Sequence, residues 1–243
     1  MRPPQQSRLI RANHEYVKRV NTQIVLRCIR EHGPLSRAEI ARRTELYPAT
    51  VSSLVSELLE QELVVETGVG ASTGGRTPVL LELSPKVHRA VGVALDAQTV
   101  EVGLVDLLGK VVHRASAAVD GGGPHGVMRE VKSLVEQVIE DAGVGGERIL
   151  GIGAAFPGAV DADAGVVLGS QTLPGWGRFP LRDALRLEGH AVCRVDTGAN
   201  AALCAERWFG SVGDGESALL LTFDWWIGGG LMIEGRIYRG HRH

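Results

Sequence analysis

With 243 residues, 44% of them apolar, the chain is long enough for one or two buried cores, and its formal net charge of −2 excludes a uniformly basic or acidic protein. No apolar run approaches the roughly 18 residues of a membrane helix, and the N-terminal "MRPPQQSRLIRANHEYVKRV" carries charge without an apolar stretch. The expectation is therefore a cytoplasmic protein with neither membrane span nor secretory signal. Cys28, Cys193 and Cys204 are odd in number and lack C-x-x-C spacing, which fits neither a disulfide framework nor a zinc site.

The small net charge hides an asymmetry. Residues 1–43 hold ten Arg or Lys against three Glu, whereas residues 84–243 hold fifteen against nineteen Asp or Glu. A basic end points to a polyanionic partner or to a solvated basic face, and local pattern has to decide between them. Residues 1–20 read as an N-terminal arm. "NTQIVLRCIREHG" then places Ile24, Val25, Cys28 and Ile29 on one helical stripe that stops at Gly33-Pro34. "LSRAEIARRTEL" opens on Ser36 with Glu39 three residues on, the spacing of a capping box, and Ala38, Ile40 and Ala41 supply its apolar positions.

"PATVSSLVSELLEQELV" predicts a third helix, with Pro48 in its first turn, Val51, Leu54, Val55 and Leu58 inward, and Thr50, Ser52, Ser53 and Ser56 outward. "LVVETGVGASTGGRTPVLLEL" reads as two strands joined by a Gly- and Ser-rich loop ending at Arg76. Three helices and a hairpin over 21–83 make a winged helix-turn-helix, whose third helix suits a major groove and whose wing can push an arginine into a minor groove. The expected DNA-binding residues are Thr50, Ser52, Ser53 and Ser56 toward bases or phosphates, Arg37, Arg42 and Arg43 as phosphate clamps, and Arg76 carried by the wing toward the minor groove. The alternative is a helical bundle with a serine-rich surface. The third helix has no outward Arg, Asn or Gln, so bidentate base readout is missing from it.

Beyond residue 83 the pattern turns to α/β. "AVGVAL", "VEVGLVDL" and "KVVHRASAAV" are strand-like, "VDGGGPHG" is a loop, and "GVMREVKSLVEQVIEDAG" puts Val127, Met128, Val131, Leu134, Val135, Val138 and Ile139 on one helical face. "RILGIGAAF" is a buried strand ending at Pro157-Gly158, and "CRVDTGANAALCAERWF" turns from strand to helix near Asn200. "DWWIGGGLMIEG" presents glycines of the kind that let backbone N–H groups close on a phosphate.

The head together with "VGVALDAQTVEVGLVDLLGKVV", "GIGAAFPGAVDADAGVV", "LPGWGRFPL", "GANAALCAERWFG" and "IGGGLMIEGRIYRG", in that order, resembles the ROK family of sugar-responsive repressors and sugar kinases. The resemblance implies an actin-like, ribonuclease-H-like α/β domain over 87–243, with its second lobe incomplete, since the sequence closes at "YRGHRH" without the family's later zinc loop and helices. An unfinished lobe would expose the apolar "ALLLTF" and favour self-association. His241 and His243 lack cysteine partners and are not read as metal ligands.

Against the pattern of ROK kinases, the first phosphate segment D-x-G-G-T has become Ala94-Leu95-Asp96-Ala97-Gln98, the general base falls on Gly198 preceded by Thr197, and Asp224, Trp225 and Trp226 replace Gly-Thr-Gly. The two indoles read as packing or an interface. Tyr47 stands where the family usually has a serine that caps the recognition helix. These departures give an expectation of no catalytic residue, no metal and no cofactor. They describe a transcriptional regulator, a repressor, that binds a double-stranded DNA operator as a homodimer. A sugar or sugar derivative would bind near Gly158, Asn200 and Glu206. The rival readings are a ROK sugar kinase with a regulatory head and a protein-binding winged-helix module.

Overall fold

The computed structural model describes residues 5–70, 77–119, 123–143, 145–186, 192–223 and 227–240, without the side chains of 5–13 and 147. The chain divides into two compact units, 1–88 and 89–243. The first opens with α1 (Gln5–His32), β1 (Leu35–Ser36), α2 (Arg37–Thr44) and α3 (Pro48–Glu60), and closes with β2 (Val64–Val69) and β3 (Val79–Leu83). The three strands form one antiparallel sheet in the order β1-β3-β2. Val25, Cys28 and Ile29 of α1, Ile40 and Ala41 of α2, and Val51, Leu54, Val55 and Leu58 of α3 bury together with Leu35, Val64, Leu81 and Leu83, as apolar residues at helical spacing should. Winged helix-turn-helix is the fold of this unit.

Two details differ from the sequence expectation. The first helix does not begin near residue 21 but runs unbroken from Gln5, through the segment read as an arm. Ile24 and Ala38, assigned inward, are exposed. Arg76 lies outside the described residues, and so do Asp224, Trp225, Trp226, His241 and His243.

The second unit is built on β4 (Arg89–Leu95), β5 (Thr99–Asp106), β6 (Val111–Ala118), β7 (Ile149–Phe156) and β10 (Val192–Thr197), in the sheet order β10-β7-β4-β5-β6. The first three strands form an antiparallel meander; β7 returns parallel to β4, and β10 parallel to β7. The return is made by α4 (Gly123–Asp141), whose helix starts three residues before the predicted Gly126. Its buried face, Val127, Met128, Val131, Leu134, Val135 and Val138, covers the sheet face that carries Val91, Val93, Leu95, Val100, Val102 and Leu104. A small hairpin, β8 (Ala159–Asp161) and β9 (Val166–Gly169), follows β7. Trp176, in the loop after it, stacks between Phe156 and Phe179 with ring centroids 5.0 Å from each. The short helix α5 (Leu181–Ala184) leads to β10.

After β10, α6 (Gly198–Phe209) packs on a second antiparallel sheet of β11 (Ala218–Phe223), β12 (Ile227–Ile233) and β13 (Arg236–Ile237). Here the sequence reading fails: Gly228, Gly229 and Gly230 are not a loop but the middle of β12, paired with Thr222, Leu221 and Leu220. The reason is close approach. A side-chain carbon on Gly230 would sit 2.8 Å from the Ala199 carbonyl oxygen, so only glycine lets the first turn of α6 lie on this strand.

Candidate functional site

The candidate groups of the head lie on two helices, α2 and α3. Their geometry starts at the capping box: the Ser36 hydroxyl accepts the Glu39 N–H at 3.2 Å, while the Glu39 carboxylate accepts the Ser36 N–H at 2.9 Å and hydroxyl at 2.8 Å. Those bonds hold the Glu39 carboxyl below its ordinary range, chiefly through the backbone N–H and then the hydroxyl of Ser36. They start α2 at Arg37, so that Arg42 and Arg43 fall in its last turn, both exposed. Glu45 then takes the left-handed conformation, with φ 57°, and turns the chain into α3. Lys18 of α1 meets Glu57 of α3 at 2.8 Å, an exposed pair that tethers the two helices weakly.

The four hydroxyl residues assigned to DNA do not stand alike. Ser52 and Ser53 are exposed, and Thr50 is half-buried. Ser56 is exposed but donates its hydroxyl proton to the Ser52 carbonyl at 3.0 Å, one turn back, so it offers an oxygen outward rather than a proton. Of the arginines, Arg37 is half-buried and reaches Glu66 of β2 at 3.6 Å. Arg42 and Arg43 thus carry the freest placement. No sequence signal separates them from Arg37, because its partner lies across the fold.

In the second unit, the parallel strands β7 and β10 end side by side, with Phe156 opposite Thr197. Gly158 follows the one and α6 the other. A side-chain carbon on Gly158 would lie 2.4 Å from the Gly169 carbonyl oxygen, so this glycine lets β9 come close. Thr197 caps α6 by accepting the Asn200 N–H at 3.2 Å, and buried Asn200 donates its side-chain amide to Asp196 at 2.8 Å. The other Asp196 oxygen is ion-paired with Arg239. Glu206 is not brought to this cluster: it lies in the last turns of α6, exposed, with its carbonyl accepting the Gly210 N–H at 3.0 Å. Six residues turn a helix through about 600°, so Asn200 and Glu206 face different ways.

The sheet face opposite α4 carries small residues, Gly92, Ala94, Gly103, Gly153 and Ala155, and with α6 it borders an open depression of about 960 Å³. Cys204 points along this side, its thiol pushed up by burial, then by the Asp196 carboxylate, against the opposing pull of Arg239 and Arg207. Burial likewise pushes up Cys28 and Cys193. Among the described residues no group of three or more His, Cys, Asp or Glu is placed to hold a metal, and no helix is long and apolar enough to cross a membrane.

Comparison with known proteins agrees with both units. The MarR family profile matches residues 22–66, and the ROK family profile matches residues 90–243. The chain belongs to the ROK family. It is 32% identical over 229 residues to the xylose repressor of Caldicellulosiruptor bescii, covering 94% of this chain and 57% of the repressor. It shares its fold with a ROK family transcriptional regulator homologous to the E. coli MLC protein (TM-score 0.77, 23% identity, 93% of this chain and 57% of that one). A Streptomyces griseus ROK glucokinase, solved with glucose and AMPPNP, matches at TM-score 0.56 and 24% identity, over 63% of this chain and 47% of its own. The chain thus spans a little over half the length of the ROK repressor it matches.

The positions that the resemblance to ROK kinases assigns to phosphoryl chemistry and to the general base hold other groups. Ala94 offers a methyl group. Asp96 spends a carboxylate oxygen on its neighbour, accepting the Ala97 N–H at 2.6 Å, while its own N–H donates to the Thr99 carbonyl and closes the β4–β5 turn. Gly198, at the position of the family's base, has no side chain to accept a proton. Asp196, two residues earlier, is engaged by Asn200, the Thr197 N–H and Arg239.

Proposed function

We propose that this chain is a transcriptional repressor that binds double-stranded DNA through its head, residues 21–83, and that it does not transfer phosphate. The observation that carries the reading is that Arg42 and Arg43, in the last turn of α2, and Ser52 and Ser53, in α3, are all exposed in a winged helix that precedes a ROK domain in the chain. An α-helix with short polar side chains fits a major groove, and exposed guanidinium groups at the end of the preceding helix suit the flanking phosphates. The repressor name of a 32%-identical relative supports the same role. Arg76 completes the set by serving the wing.

The body supplies regulation. A sugar or sugar derivative, by analogy with the relative named for xylose, binds at the ends of β7 and β10 near Gly158 and Asn200, with Glu206 playing no direct part. Two copies engage two half-sites as a homodimer in the cytoplasm. The loss of kinase activity follows from Gly198 and from the engaged Asp196.

Genome-wide footprinting with the intact chain tests the proposal. Discrete protected sites that vanish when residues 1–83 are removed are the expected result. Protection that survives that deletion, or none from the intact chain, refutes it.

A further inference from the structure

The outward side of α3 has a property that the DNA-binding reading leaves unused. Pro48, Ala49, Ser52, Ser53 and Ser56 are exposed and all short. Such a surface lets the helix backbone approach base edges closely, but it supplies no long donor or acceptor for bidentate recognition. One large side chain stands at its leading end. Tyr47 is 82% exposed, and it occupies the N-cap position with φ −59° and ψ 136° while making no capping hydrogen bond. Its carbonyl accepts the Val51 N–H at 3.0 Å, which fixes its backbone at the N-terminal end of the helix, the end that contacts base edges in helix-turn-helix proteins.

A tyrosine here has a cost without a visible return inside the head. A serine or asparagine would cap α3, and an aromatic ring left in water forgoes the burial that normally stabilises it. The return lies in a partner. Resting on the DNA-binding reading above, we infer that Tyr47 reads sequence: its ring packs against the C5-methyl group of a thymine in the major groove, while Arg42 and Arg43 anchor the adjoining backbone. Apolar contact with that methyl distinguishes thymine from the other bases without any hydrogen bond. It is the readout open to a helix whose exposed side chains from Pro48 to Ser56 are short.

The test uses the full chain and a duplex operator obtained by selection from a random library. Each thymine is replaced in turn by deoxyuridine, which removes only the methyl, and affinities are measured for wild type, Tyr47→Ala, Tyr47→Phe and Tyr47→Ser. For wild type, one thymine position per half-site should lose about fourfold on losing its methyl, the value of one buried methyl group. In Tyr47→Ala that penalty should vanish while the affinity for the parent operator falls about tenfold, as for one mismatched base pair. Tyr47→Phe should keep the wild-type pattern, since the contact needs the ring and not the hydroxyl. Tyr47→Ser should melt at a higher temperature, having regained a cap, and yet bind the operator as weakly as Tyr47→Ala. That opposition separates a reading role from a folding role.

A deoxyuridine profile identical in wild type and Tyr47→Ala overturns the inference and leaves DNA binding intact. Equal losses in Tyr47→Phe and Tyr47→Ala also overturn it, assigning the hydroxyl to a phosphate or base acceptor instead. Failure of the wild-type chain to select any duplex overturns both this inference and the function on which it rests.

Discussion

Salt dependence tests the arginine assignment with a number. Each phosphate neutralised on duplex DNA contributes about 0.9 to the slope of log affinity against log salt. Arg42 and Arg43 are exposed in the last turn of α2, whereas Arg37 is half-buried and 3.6 Å from Glu66. Replacing Arg42 and Arg43 together by alanine should therefore flatten the slope by about 1.8 per bound head, while Arg37→Ala should flatten it by clearly less than 0.9. Between about 50 and 200 mM salt, a change of 1.8 makes roughly a twelvefold difference in how far affinity falls. Fluorescence anisotropy of a labelled operator across a chloride series gives the slopes, and circular dichroism checks that α2 is still folded. An unchanged slope in the double variant refutes the placement of Arg42 and Arg43 on phosphates. A loss at Arg37 as large as at Arg42 refutes the argument that Glu66 diverts it.

Other outcomes follow from local geometry. Ser36→Ala removes the hydroxyl half of the capping box, leaving the backbone N–H of residue 36 to donate to Glu39, and should cost the head about 1 kcal/mol, read as faster hydrogen exchange along α2. The Glu39 carboxyl is depressed in the folded state, so its contribution is complete above the ordinary glutamate value of about 4.3 and is lost as pH falls through the lowered folded value. Urea midpoints of the head should accordingly drop on acidification below that value in wild type and drop less in Glu39→Gln. Gly230→Ala should destabilise the body by about 1–3 kcal/mol because the new carbon meets the Ala199 carbonyl oxygen at 2.8 Å. Gly229→Ala, whose nearest neighbour is a Leu221 methyl at 3.6 Å, should be tolerated in the same thermal melt. A coupled ATP assay over a panel of hexoses should show no turnover; turnover that disappears in Asp196→Asn would reinstate Asp196 as a base.

What could be read from the sequence was whatever local spacing determines. Ser36 and Glu39 are three residues apart, and no distant group is needed for them to cap each other. Val51, Leu54, Val55 and Leu58 recur at helical spacing and are all buried, and the predicted inner face of α4 is buried likewise apart from Ile139, which is half-buried. The N-terminal half of α1 could have been read, since Leu9, Ile10, Tyr16, Val17 and Val20 stand at helical spacing; the dense charge around them masks the pattern. The distinctions among candidate site residues were hidden for another reason. Arg37 differs from Arg42 through Glu66 on a strand, Ser56 differs from Ser52 through a carbonyl one turn back, and Glu206 differs from Asn200 by its angle around α6. Only the first depends on a neighbour distant in sequence; the other two follow from spacing along a helix and were within reach of the same reading.

The glycines of β12 show how one sequence feature can keep its place in a fold while changing its work. A phosphate cradle needs consecutive N–H groups that curl inward on an anion, which a regular strand cannot provide. Gly228, Gly229 and Gly230 lie instead in an antiparallel ladder against Thr222, Leu221 and Leu220. Gly228 and Gly230 are buried, the latter directly under the first turn of α6. That turn carries Thr197, Gly198 and Asn200, so the strand positions the residues at which the ROK kinase pattern places its sugar-contacting and basic side chains. Selection for a rigid ligand platform would retain the glycines even where the basic side chain has gone, since any residue larger than glycine at 230 would push α6 off the sheet and displace Asn200 with it. The framework that holds Asn200 is thus intact, while position 198 carries no side chain that could move a proton.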